Sequence, residues 1–391
     1  MNEAMTQENI ARKAIEAVLT GKLSFSKFLS ANDTGETGGH QSGIYIPKPA
    51  VPIIFDNGFD RGLNHDRWAS IVWHDQKTTT NRFIYYGQGT RNEYRITNFG
   101  RGFEYLTPDH TGDLFVLVKN DEDNYSGFIL TSDDEIDEFL NEFSLSPADT
   151  GNLIFLQNET IQPSELSEFE SFFLLLKKEF PTTARMSEKA REIDLLLNNC
   201  ESEIVSNPDK KIIAWSEIEY RLFRYIENVY YLNTYNKSFA TIEEFLTAAN
   251  SVLQRRKSRA GKSLEHHLSF IFKRNRISFS EQPKTEGNKK PDFVFPGISE
   301  YFDPSFPNEQ LFFLAAKTTC KDRWRQILNE ADKIPLKHLF TLQQGISSQQ
   351  LLEMQKSNVV LVVPESNLNA FPRAHRGNIL TLKKFISAVK K

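Results

Sequence analysis

Pro291-Asp292-Phe293-Val294-Phe295 and, sixteen residues further on, Leu311-Phe312-Phe313-Leu314-Ala315-Ala316-Lys317 decide the fold of the C-terminal half. Both are apolar runs of strand length, the first opened by an acid and the second closed by a lysine. His338-Leu339-Phe340-Thr341 and Val359-Val360-Leu361-Val362-Val363 read as further strands, with a helix expected between them and Lys317, over about Asp322 to Lys333. Upstream, helical periodicity runs through Glu188–Asn199, Ile213–Tyr231, Thr241–Arg255 and Ala260–Lys273. Strands flanked by and alternating with helices predict an α/β domain.

The N-terminal half reads differently. Ile71–Trp73, Arg82–Tyr86, Leu114–Val118 and Gly127–Leu130 are short strand-like runs separated by Asp, Asn, Gly and Thr, the punctuation of an antiparallel sheet or small barrel. Helices are expected at Gln7–Leu19, near Asp133–Phe143 and from Glu165 to Phe180, where Pro181-Thr182-Thr183 interrupts the pattern. The expected organisation is therefore α+β and multidomain: residues 1–179, a hinge at 180–187, and an α/β domain at 188–391, a division that suits 391 residues.

Composition narrows the class. A hydrophobic fraction of 39% and a charged fraction of 25% belong to a globular chain. No apolar run reaches the roughly 18 residues of a membrane span, and no signal peptide is visible at the start. Two cysteines, Cys200 and Cys320, allow neither a disulfide framework nor a four-cysteine zinc site, which fits a reducing cytoplasm. The net charge of −4 hides an asymmetry: residues 251–290 carry eleven Lys or Arg against three Glu. That stretch is either a phosphate-contacting face or a solvated helix face.

The chemistry follows from the opening pair of runs. Hydrolysing a phosphodiester calls for a divalent ion held by carboxylates and a cation near the phosphate. Mg²⁺ typically takes only one or two protein carboxylates. Asp292 at one strand end and Lys317 at the end of a neighbouring strand fit this, as do two structural strand ends. Pro108-Asp109, ahead of a strand ending in Lys119, is a decoy of the same form, and Pro208-Asp209 is a third Pro-Asp pair. The acid usually found two residues before the lysine is replaced by Ala315. Glu330 is the candidate substitute: on a helix from Asp322, Arg323, Ile327 and Glu330 share a face, with Glu330 about 10 Å along the axis from Arg323. A surface glutamate pairing with Lys333 explains Glu330 equally well. Glu265, on the margin of an apolar helical stripe, is either a third acid or solvated. Gly261-Lys262-Ser263 lacks the upstream glycine and strand of a nucleotide-binding loop, which excludes an NTPase of that type.

At these residues the chain resembles the EcoRII family of type II restriction endonucleases. The resemblance is carried by 255–265 (RRKSRAGKSLE), 286–293 (EGNKKPDF) and 317–334 (KTTCKDRWRQILNEADKI), and in the N-terminal half by 29–35 (LSANDTG), 38–41 (GGHQ), 90–93 (TRNE) and 95–97 (RIT). The segment from about 151 to 235 matches poorly. The resemblance implies an N-terminal B3-like barrel that binds effector DNA and a C-terminal nuclease domain of the PD-(D/E)XK type. It implies a catalytic centre of Asp292, Lys317 and Glu330 with Glu265 as accessory acid, Asp292 and Glu330 holding Mg²⁺. It implies that Lys321, Asp322 and Arg323 read a CC..GG core within a CCWGG-like site. Independently, Lys and Arg suit guanine O6 and N7 and Asp suits cytosine N4, while Asp322 also suits a helix N-cap. His40, Tyr45, Arg91, Asn92, Glu93 and Arg95 would face effector DNA, although a glycine-rich stretch around His40 is also an ordinary turn. A homodimer on double-stranded DNA, restrained by its N-terminal domains until effector DNA binds, and a cognate methyltransferase in the host complete what the resemblance implies. Two other classes fit the residues: a repair or junction-resolving nuclease of the same fold, and a DNA-binding regulator without catalysis.

Overall fold

A computed structural model describes residues 9–37, 43–154, 161–177, 179–235 and 239–390. His40 lies outside them. The N-terminal half is a mixed sheet of β1 (Leu23–Phe28), β2 (Ile44–Ile46), β3 (His65–Trp73), β4 (Thr78–Tyr86), β5 (Glu93–Thr97), β6 (Leu114–Lys119) and β7 (Asn124–Leu130). Their order is β1-β6-β7-β3-β4-β5-β2, antiparallel except for β3 against β7. The sheet curls around one core that includes Phe25, Ile44, Ile71, Phe83, Tyr94 and Phe115. Its two end strands approach each other, with Lys27 Nζ of β1 donating to Tyr45 O of β2 at 3.1 Å. On the outside, α1 (Ile10–Thr20) and α2 (Asp133–Glu142) pack over β6 and β7. A capping box of Ser132 and Glu135 starts α2, and Asp133, Asp134 and Glu135 in its first turn suit the positive end of the helix dipole.

The second half opens with α3 (Pro163–Leu175), α4 (Thr183–Asn198), α5 (Glu203–Ser206), α6 (Pro208–Tyr235) and α7 (Ile242–Arg274). A sheet of order β13-β12-β11-β10-β9-β8 follows, made of β8 (Ser280–Glu281), β9 (Phe293–Phe295), β10 (Phe312–Lys317), β11 (Lys337–Thr341), β12 (Val359–Val363) and β13 (Leu380–Thr381). The pairs from β10 to β13 are parallel, while β8–β9 and β9–β10 are antiparallel. One face packs on α7 and on α10 (Leu382–Val389), and the other on α9 (Ser348–Lys356) and the connections beside α8 (Ile298–Phe302). The α/β expectation for this half agrees with that sheet.

Several expectations change. The hinge at 180–187 is helical from Thr183 on, because the Thr182 hydroxyl accepts from Arg185 N and caps α4. Moreover α3 shares a core with α4 and α6 through Phe169, Phe172, Ile193 and Leu222. The helices expected at Thr241–Arg255 and Ala260–Lys273 are one helix, α7; no proline interrupts it, and the buried Arg259 guanidinium lies 3.7 Å from the Tyr220 ring centre and 4.1 Å from that of Phe223. Part of the basic stretch is internal, with Arg259 buried, Arg255 bonding Tyr231 and Arg256 pairing with Glu227, while Lys257, Lys262, Lys273, Arg274, Arg276, Lys284 and Lys290 form an exposed, charged surface. The helix expected over Asp322–Lys333 is a 3₁₀ segment, Arg323–Asn329, ended by Ala331 at φ +48°. Its residues are not spaced as on an α-helix, so Arg323 and Glu330 do not share a face. Asp209 of the third Pro-Asp pair is structural, accepting from Leu382 N and Lys383 N at the start of α10. The decoy's Lys119 pairs with Asp56 at 3.5 Å.

Candidate active site

Asp292 immediately precedes β9, and the antiparallel register of β9 on β10 brings it beside the end of β10, where its Oδ2 accepts from Ala316 N at 2.8 Å. That bond fixes the carboxylate next to Lys317, the last residue of the strand. Ala315 lies on the same face of β10 as Lys317 and is fully buried against the core of Val294, Phe313 and Leu339, so the position two before the lysine is filled by apolar packing and a second acid comes from another element. Glu330 arrives from the end of the 3₁₀ segment and Glu265 from α7. Burial raises the pKa of Asp292, with Lys317 opposing it. Burial and then the Asp292 charge push both Glu265 and Glu330 up to about 7, again with Lys317 opposing. Four side chains from four elements therefore sense one another, which the surface-glutamate reading of Glu330 does not provide; Lys333 instead donates to Tyr301 O and Asp303 O, each at 2.9 Å. Glu265 is not simply solvated either, because Gln282 Nε2 donates to its Oε2 at 2.7 Å.

Among the described residues no group of three or more His, Cys, Asp or Glu is gathered closely enough to hold a metal. An all-oxygen pair such as Asp292 and Glu330 suits Mg²⁺, which retains several waters. Divalent-ion binding needs these groups ionised; Glu330 takes up a proton below about pH 7, and burial raises Asp292 in the same direction. At limiting Mg²⁺, cleavage is therefore expected to climb as pH rises through about 7 and to lose part of that climb in Glu265→Gln and in higher Mg²⁺. A flat profile from pH 6 to 8 at limiting Mg²⁺ would remove the assignment.

Lys337 is a residue that the sequence reading missed. It sits on β11, only 4% exposed, and its ammonium donates to the carbonyl oxygens of Glu330 and of Ala331, the latter at 2.6 Å. These bonds hold the left-handed turn that aims Glu330. Lys337→Met is expected to raise the Mg²⁺ concentration for half-maximal cleavage several-fold while DNA binding in Ca²⁺ stays normal, and Lys337→Gln to recover part of the loss. Its only sequence signal is a lysine at the start of an apolar strand.

The proposed base readers lie at the far end of the same loop, and the N-terminal half covers them. Asp133 accepts from Lys321 N (3.0 Å), Asp322 N (2.6 Å) and Arg323 N (2.9 Å). Asp322 does not cap its own 3₁₀ segment; its Oδ2 accepts from Asp133 N at 3.2 Å, at the start of α2. The Arg323 guanidinium binds Asp134 and Asp137, Asp137 also accepts from Thr319 Oγ1 at 2.8 Å, and Lys321 pairs with Asp113. The sequence reading had α2 only as an amphipathic helix; its signal was three aspartates at 133, 134 and 137.

Of the effector-facing candidates, β2 and β5 bring Tyr45 opposite Arg95, and Arg95 binds Gly43 O (3.1 Å) and Glu93 (3.3 Å). Arg95 is only 4% exposed, so its guanidinium is an internal brace of this edge in this arrangement. Asn92 accepts from Tyr85 OH at 3.1 Å, and exposed Arg91 lies over the Tyr86 ring.

Two family models match the chain: "EcoRII C terminal" over residues 223–386 and "Restriction endonuclease EcoRII, N-terminal" over residues 19–160. The second names a restriction endonuclease, and that is the class of enzyme to which the chain belongs. "Type II restriction enzyme EcoRII" of Escherichia coli is 39% identical over 401 aligned positions, covering 95% of each chain. The chain belongs to the EcoRII family of type II restriction endonucleases. Among solved structures, a metal-depleted Ecl18kI complex with uncleaved, modified DNA matches 57% of this chain and 83% of its own at 21% identity and a TM-score of 0.45. A PspGI–substrate DNA complex matches 54% and 92% at 13% identity and a TM-score of 0.44. No described helix is long and apolar enough to cross a membrane.

Proposed function

We propose that this enzyme cuts double-stranded DNA at a short CC..GG-type, CCWGG-like site as a homodimer, with Asp292, Lys317 and Glu330 at the reacting phosphate and Glu265 assisting. Asp292 and Glu330 would hold Mg²⁺, which when bound would supply Lewis-acid polarisation of the phosphoryl oxygen and a more acidic water. Lys317 offsets the charge that develops on the phosphoryl group, and Asp292 is kept in line by Ala316 N. Glu265, balanced between its two protonation states near pH 7, is suited to move a proton. The N-terminal sheet acts as a B3-like effector-DNA domain, with His40, Tyr45, Arg91, Asn92 and Glu93 contacting that duplex and Arg95 bracing the edge that carries them. A cytoplasmic setting with a methyltransferase protecting host sites completes the reading.

The observation that carries its regulatory part is the seat of α2 on Lys321-Asp322-Arg323. The forked guanidinium that would donate to guanine O6 and N7 instead donates to Asp134 and Asp137, so target DNA and α2 compete for it. Effector DNA can open such an enzyme only by binding the open form more tightly. Plasmids with one site and with several sites, with and without a short effector duplex added in trans, test this, with the cut ends mapped. Equal rates on all of them would overturn the autoinhibited reading, and non-specific ends would favour a repair nuclease. Arg323→Ala, compared on target and scrambled duplexes at fixed salt, is expected to lose about 1–3 kcal/mol of discrimination. Equal weakening on both duplexes would make Arg323 a phosphate contact.

A further inference from the structure

We infer that Gln343 is a specificity-determining residue whose side-chain amide reads a base edge of the target duplex, and that the closed arrangement keeps this amide occupied. The inference rests on the reading that the N-terminal half withdraws before cleavage. Gln343 lies two residues beyond the end of β11, and the parallel register sets Thr341, the last residue of β11, opposite Lys317. It thus emerges at the same strand-end edge as the reacting lysine. Its Nε2 donates to Gly112 O at 2.8 Å, while Lys321 pairs with Asp113. Gln343 and Lys321 therefore hold consecutive residues of one turn, which makes their head groups neighbours on one surface.

Gln343 is fully buried under that turn, and its Oε1 is without a hydrogen-bond partner. A side chain selected only to latch two domains would not bury an idle acceptor, because an unpaired buried oxygen is unfavourable. The amide has a donor and an acceptor, and the closed state uses only the donor. Once Gly112 leaves, both groups stand free beside Lys321. A carboxamide pairs in a bidentate way with a base edge that offers a donor and an acceptor side by side. Gln344, next along, donates to Pro147 O at 2.8 Å and to Thr150 Oγ1 at 3.3 Å, so both of its contacts are again to the N-terminal half. It serves as the comparison for a residue that only latches.

The test uses full-length parent, Gln343→Ala, Gln343→Glu and Gln344→Ala proteins, each checked by its unfolding midpoint. Cleavage is measured with saturating effector duplex on the cognate duplex and on a set with one base pair changed at a time, and separately on one-site DNA without effector. Gln343→Ala is expected to slow effector-saturated cognate cleavage about ten- to a hundredfold and to erase the parent's discrimination at one symmetry-related position. Gln343→Glu, which keeps the bulk and the acceptor but loses the donor, is expected to lose discrimination at that same position, and it decides the matter if the alanine variant does not fold. Faster one-site cleavage with unchanged base preference in both Gln343 variants would make the residue a latch and overturn the inference. So would unchanged rates throughout. A parent indifferent to effector would count against the closed-state reading alone, since the base-preference readout is independent of it.

Discussion

Asp292→Ala is expected to reduce DNA cleavage by about three orders of magnitude, with Glu330→Ala and Lys317→Ala close behind, while binding to the target in Ca²⁺ persists. Loss of metal-centred charge stabilisation worth about 4 kcal/mol corresponds to that factor. Asp292 is expected to carry the largest effect because under the proposed function it would hold the metal, and because the main chain of β10 orients it through Ala316 N. Glu265→Ala is expected to cost less, since its carboxylate is also tied to Gln282. Single-turnover cleavage with excess enzyme measures the chemical step directly. An Asp292→Ala protein cutting within tenfold of the parent would remove the whole assignment.

The second large effect is a gain. Asp133→Ala combined with Asp137→Ala is expected to speed cleavage of one-site DNA about ten- to a hundredfold and to make it insensitive to effector duplex. Asp133 takes three main-chain N–H groups and Asp137 takes Thr319 and Arg323. Charge-assisted hydrogen bonds contribute about 1.5–3 kcal/mol each, so losing this cluster is enough to shift a closed–open equilibrium by that factor. Both positions lie on α2, in the half that withdraws under the proposed function, and neither is a proposed reacting group, so the chemical step at saturating effector should be unchanged. A double variant as slow as the parent on one-site DNA would mean that α2 does not hold the enzyme closed. Raising salt should imitate the substitution in part, because the Arg323 and Asp134 contact is partly exposed to solvent.

Strands with clear apolar runs were legible in the sequence, and so was the placing of Asp292 and Lys317 at neighbouring strand ends, because the period of each strand is local. β1, β2 and β5 were not, since Leu23–Phe28 mixes serines and a lysine into a buried strand and the other two are short. The α-helical spacing expected for Glu330 does not occur, because a 3₁₀ turn and a left-handed Ala331 position it instead. Such a turn depends on Lys337, which comes from a later strand. The covering of Lys321–Arg323 by α2 joins residues 189 positions apart, and no periodicity carries information over that distance.

That separation also has an order in time. A ribosome finishes Asp113 and the acidic turn of α2 long before it reaches Lys321, 188 residues after Asp133. N-terminal units generally fold first during synthesis. Under the proposed autoinhibited reading, Lys321-Asp322-Arg323 would therefore emerge when the α2 surface that covers them is already made, covalently attached and at high local concentration. On that reading a newly translated molecule would close on itself before it meets chromosomal DNA, whereas the same two halves joined in the opposite order would leave an unrestrained cutter exposed for as long as the remaining translation takes.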